Sequence, residues 1–260
     1  MTRDPHRPDG DQLPFLAPCR RVPAGAPLRW LAAGWRDMKR APGQSLGWGF
    51  VVLGVSWLVS LIALALGSWI MLLAMLSGFV FIGPLLAIAL YAISSQLERG
   101  RVPTFDRSFD EARRGLGDSL VFAIVLLVIF LVWARAASLI HVFFPIDAAP
   151  DWPELMRFLG IGTAVGSMFA AITFAASAFS LPMLMDRQVD TVTAVVTSVN
   201  ATLRNKPAMI VWLALIVTLT GIGFATAFVG LAVLFPLLGH ATWHAYRDVV
   251  DASAWPPQVS

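Results

Sequence analysis

APGQSLGWGFVVLGVSWLVSLIALALGSWIMLLAMLSGFVFIGPLLAIALYAISSQL, residues 41–97, runs for 57 residues without an Asp, Glu, Lys or Arg. A helix that crosses a membrane needs about 20 consecutive apolar residues, so this run holds two. Two more uncharged runs, residues 158–185 and 207–246, are 28 and 40 residues long. Of the 260 residues, 57% are apolar and 13% charged, about half the charged share of a soluble domain. These figures exclude a soluble globular protein, and also intrinsic disorder, which needs low hydrophobicity and high charge. The fold class that follows is all-α, a polytopic membrane helix bundle.

Six spans in three hairpins fit the pattern, at about residues 45–66, 69–94, 118–140, 156–185, 207–225 and 226–246. Gly67-Ser68 and residues 221–226 are the turn points. Residues 1–26 are Pro-rich and read as a flexible tail, residues 27–250 as the integral helical domain, and residues 251–260 as a short C-terminal tail. The N-terminal tail has no apolar stretch of the kind a cleavable signal peptide carries. With Cys19 the only cysteine, neither an intrachain disulfide nor a cysteine metal cluster can form.

Of the 19 Lys and Arg, 17 fall on one side of this arrangement, and only Arg135 and Arg157 fall on the other. The positive-inside rule then places both termini in the cytoplasm of a bacterial inner membrane. The far side has two tight turns and one loop, residues 141–156, with Asp147, Asp151 and Glu154. Before each hairpin lies a stretch with helical spacing of three and four: Leu28, Leu31, Trp35 and Met38; Phe105, Phe109, Ala112 and Leu116; Val189, Val192, Val196, Val199 and Leu203. Each reads as an interfacial amphipathic helix whose apolar stripe faces the bilayer or the bundle. A proline sits late in the second span of every hairpin, at Pro84, Pro182 and Pro236, so the chain reads as three irregular copies of one unit. Trp48, Trp69, Trp133 and Trp243 fall near span ends, where indole rings are favoured.

Gly162 and Gly166, with Ser167, Ala171 and Ala175, give the fourth span a small-residue face suited to close helix packing, which puts that span at the bundle centre. Together with the kinking Pro84, Pro182 and Pro236, these are the helix-packing candidates. No carboxylate lies well inside any span, which weighs against proton- or ion-coupled transport. One constellation could carry chemistry: His240, His244 and Asp248 recur every four residues and so share a helix face. Two histidines at that spacing can hold a divalent metal, and a carboxylate can complete the set; Asp186, Asp190 and Glu98 are the possible partners. The competing reading is a belt of polar residues paired with neighbouring helices. There is no phosphate loop, no GxSxG elbow and no HExxH, and no basic domain for nucleic acid.

Gly34-Trp35-Arg36-Asp37, Gly83-Pro84-Leu85-Leu86 with Tyr91, Ser94 and Glu98, the stretch from Phe179 to Arg187, and the stretch from Pro236 to Asp248 together resemble a bacterial family of predicted integral membrane proteins, domain of unknown function 2189. The resemblance extends over residues 30–250 and implies membrane integration without an assigned activity. Some members of that family carry a cytochrome c oxidase subunit label. A catalytic haem–copper subunit needs on the order of six histidines inside the membrane. This chain has four histidines, one of them His6 in the tail, and is not such a subunit.

The leading expectation is a non-enzymatic accessory or scaffold protein of the membrane that requires no cofactor. Its partners would be the lipid bilayer and another membrane protein, and not nucleic acid. Two alternatives stand beside it: a small-molecule, ion or lipid permease, and a metal- or haem-binding accessory protein of a respiratory complex. The sequence sets neither substrate nor oligomeric state.

Overall fold

The structure is a computed structural model that describes residues 14–65, 78–79, 81–104, 108, 116–143 and 151–258. It is helical throughout, with no strand among the described residues. In chain order the helices are α1 (Ala26–Arg40), α2 (Pro42–Ala65), α3 (Ile88–Glu98), α4 (Leu116–Phe143), α5 (Trp152–Ser177), α6 (Ser180–Asp186), α7 (Thr191–Arg204), α8 (Lys206–Ala225) and α9 (Leu231–Val249). Proline stands in the first turn of α1, α5 and α8, where its missing N–H has no helical partner to lose. Asp151 and Asp190 cap α5 and α7, accepting from the amides of Glu154 and Thr193 at 2.8 and 2.9 Å. Such caps contribute about 1 kcal/mol each.

Among the described residues, five helical stretches are long and apolar enough to cross a membrane: Pro42–Ala65, Phe81–Glu98, Leu120–Ile140, Trp152–Asp186 and Lys206–Ala225. Leu120, Ile124, Leu127, Val128 and Leu131 all point outward from α4, an apolar surface that suits a bilayer and not water. The expected sixth span becomes α9, a helix of 19 residues. It falls outside the five because its second half carries His240, Thr242, His244, Arg247 and Asp248.

The centre is α9, not the fourth span. It packs on α1, α2, α3 and α8, while α5 packs chiefly on α4 and α7. A side chain on Gly162 would meet open space, and one on Gly166 would reach only Trp133 Nε1 at 3.9 Å. The close approaches lie elsewhere. A Cβ on Gly34 would stand 2.7 Å from the Ala241 nitrogen, one on Gly239 would stand 2.5 Å from Leu90, and one on Gly49 would overlap the Ala232 carbonyl. Proline explains the last of these: Pro236 has no N–H to give the Ala232 oxygen one turn earlier, and α2 packs against that freed carbonyl.

Pro182 breaks its span in the same way. The helix interrupts at Ala178 and Phe179, four residues before it. Ser198 of α7 repairs the gap, accepting from the Phe179 amide at 3.0 Å and donating to the Ala175 carbonyl at 2.7 Å. Pro84 precedes a comparable interruption at Ala87.

The apolar stripes of the two describable amphipathic helices are divided between surface and interior, with Met38 and Val189 buried. Leu28 and Trp35 of α1, and Val192 and Leu203 of α7, are exposed. The buried faces are Ala26, Trp30, Ala33, Gly34 and Asp37 in α1, and Thr191, Thr193, Ala194, Thr197, Ser198 and Ala201 in α7. Lipid offers no hydrophobic drive to bury an aliphatic side chain, so small residues and hydrogen-bonding residues take the interface. Phe105, Phe109 and Ala112 of the second stretch, the turn at Gly67-Ser68, Trp69 and Asp147 lie outside the described residues.

The tails are also corrected where they are described. Ala17 and Cys19 are buried, and the Ala17 amide donates to Thr197 Oγ1. Cys19 and Val250 form an antiparallel bridge, as do Arg187 and Pro257, and Trp255 is buried. Residues 14–25 and 250–258 are therefore docked to one end of the bundle, the end that carries most of the Arg and Lys.

Candidate functional site

At this basic end, α9 presents its polar second half to α1, α2 and α3. Spacing puts His240, His244 and Asp248 on one face, as expected, but each meets a different partner. His240 is fully buried, with Nε2 2.9 Å from Ser45 Oγ and Nδ1 2.8 Å from Ser94 Oγ. Donor counting assigns the tautomer. Ser94 has one proton and gives it to Asp37 Oδ2 at 2.8 Å, so it must accept from Nδ1–H. The bare Nε2 then accepts from Ser45. His244 Nε2 donates to the same Asp37 oxygen at 2.8 Å. The result is a continuous chain from Ser45 through His240 and Ser94 to Asp37, closed from the other side by His244.

Asp37 is 5% exposed. Burial pushes its carboxyl upward, but hydrogen bonds from His244 and Ser94 and the attraction of His244 outweigh that and hold it below the usual carboxylate range.

The remaining acids are satisfied separately. Asp248 accepts from Trp30 Nε1 at 2.9 Å and from Arg29 at 3.4 Å. Asp186 accepts from the Tyr246 hydroxyl at 2.9 Å and lies 3.0, 3.6 and 3.5 Å from Arg187, Arg99 and Arg247. Glu98 accepts from Trp243 Nε1 at 2.9 Å and from Arg247 at 2.9 Å. Trp243 is thereby buried and not at the lipid interface. Asp190 is occupied as the α7 cap.

Among the described residues, no three His, Cys, Asp or Glu side chains gather as a metal would need. His240 and His244 are joined to Asp37, Ser94 and Ser45, not to Asp186, Asp190 or Glu98. Asp37 and Ser94 stand in the family-like motifs, and Asp37 is the lone acid in the basic helix α1. Ser45 carried no comparable signal, because a serine at the start of an apolar span is unremarkable in sequence.

Higher in the bundle lies a cavity of about 410 Å³ between α5 and α8, backed by α9 and the Phe81–Glu98 span. Its walls are apolar except for Tyr91, Thr173, Ser177, Thr220 and Thr242. Neither Ser45 nor His240 lines it.

No curated protein and no solved structure matches the chain. The match to a family is narrower than the resemblance over residues 30–250: it takes in Gly83 to Leu86, Tyr91, Ser94, Glu98 and Phe179 to Asp186, and leaves Gly34 to Asp37 and Pro236 to Asp248 outside. Over residues 70–186 the chain matches the family described as predicted integral membrane protein (DUF2189).

Proposed function

We propose that this is a non-enzymatic accessory or scaffold protein of the bacterial cytoplasmic membrane, with its basic end in the cytoplasm. The observation that carries the reading is the mutual pairing of the polar groups at that end. His240, His244, Asp37, Asp186, Asp248 and Glu98 all take partners from within the chain. Those pairs fasten α1 to the bundle, backbone pairing holds both described tails beside them, and together they form a fixed platform rather than an open reaction centre. The excess of Lys and Arg at the same end supports the orientation.

Elemental analysis and an absorbance spectrum of the detergent-purified protein test the cofactor side. Neither metal nor haem is expected near stoichiometry in wild type, in His244→Ala, or in the His240→Ala, His244→Ala double variant. A bound metal or haem lost in His244→Ala overturns the reading in favour of a cofactor-binding protein. Fusions to the C-terminus test the orientation: a fluorescent reporter should be bright and alkaline phosphatase inactive. The reverse pattern would invert the topology.

A further inference from the structure

The cleft between α5 and α8 has dimensions set by the helices that wall it. Phe79 to Tyr91 on one wall and Trp212 to Phe224 on another each rise by 12 residue steps, about 18 Å along a helix. The hydrocarbon of one leaflet is about 15 Å deep, half of a 30 Å core. At the lower end of the cleft stand Tyr91 and Thr242. These two residues lie roughly 10 and 8 Å along their helices from the charged Glu98 and Arg247. That is the depth at which the interfacial zone, about 5–8 Å per leaflet, gives way to hydrocarbon, and where glycerolipid ester carbonyls lie.

The cleft also opens sideways. α5 packs on α4 and α7, and α8 on α9 and α1, so the two helices flank the gap, with exposed Val217 at the rim. Its upper walls are aromatic and aliphatic: Phe79, Leu213, Ile216, Phe224 and Phe235.

We infer that the cleft is a site for one acyl chain of a membrane glycerolipid, entering from the leaflet at the basic end, with its ester group at the level of Tyr91 and Thr242. The length selects a single chain, the apolar walls exclude a charged solute, and the side opening selects a molecule already in the bilayer. The inference is independent of the accessory role and of the orientation proposed above.

The test uses the full chain in vesicles of phosphatidylethanolamine and phosphatidylglycerol, doped with a phospholipid carrying a photoreactive group at its acyl terminus. Mass spectrometry should find adducts concentrated at the upper cleft, near Phe79 and Phe224. Ala170→Phe and Ile216→Trp, which fill the cleft at separate points, should each lower that labelling several-fold. Val121→Phe on the outer face of α4 should leave it unchanged. Thermal unfolding of each variant identifies any loss that is only misfolding, and the second filling variant then decides. Adducts spread over the outer faces of α2 and α4, unaffected by both filling variants, would overturn the inference. Equal labelling by a photoreactive free fatty acid would overturn the glycerolipid assignment.

Discussion

Gly49→Ala should lower the thermal unfolding midpoint of the detergent-solubilised protein on the order of 10 °C, equivalent to about 3 kcal/mol for a chain of this size. The added methyl would occupy the space of the Ala232 carbonyl. That atom is backbone, held in α9, and cannot swing aside as a side chain could. The cost falls on the α2–α9 contact, one of the largest in the bundle. Gly54 is the control. It lies in the same helix with open space where a Cβ would go, so Gly54→Ala should hold or raise the midpoint through helix propensity, by up to about 1 kcal/mol. Equal responses at the two positions would mean that α2 does not approach α9 through Gly49.

Asp37→Ala should cost on the order of 3 kcal/mol, since the buried Ser94 and the half-buried His244 lose a charged acceptor. Asp248→Ala should cost about 1 kcal/mol or less, because its side chain is 39% exposed and its pair with Arg29 is bathed in solvent. The Asp37 effect should depend on pH. A carboxyl held below its unfolded value of about 3.9 contributes stability that is complete above that value and is lost as pH falls through the depressed one. Wild type should therefore lose stability below about pH 4 more steeply than Asp37→Asn. Parallel acid profiles for the two proteins would rule out an ionised Asp37 in the folded chain.

Uncharged runs and the distribution of Lys and Arg were enough to read the helical bundle and its basic end, because span length is set by bilayer thickness. The orientation of α1 and α7 was legible only in part, because their stripes, read as facing the bilayer or the bundle, divide between the two. Periodicity shows that a helix has two faces, and in water the aliphatic face goes inward. Here the inward face is chosen by how closely backbones can approach and by which hydroxyls find partners, and Gly34, Ala33 and Ser198 satisfy both. The small-residue pair at Gly162 and Gly166 misled for the same reason: spacing permits a close contact but does not supply a helix to make it. The histidine face on α9 was legible from its period of four. Its partners come from α1, α2 and α3, roughly 150 to 200 residues earlier, and no local pattern carries that information.

The pairing of residues 18–20 with residues 249–251 has a consequence for how the chain is made. α1 finds its main partner, α9, only after the helices between them have been made. Until then Asp37, Trp30 and the small-residue face of α1 have nothing to pack on, and they must stay solvated beside the membrane while the spans insert. Closure of the bundle thus waits for α9, made after the other described helices. A chain that stops before Leu231 keeps its membrane-crossing helices but lacks the helix that gathers them.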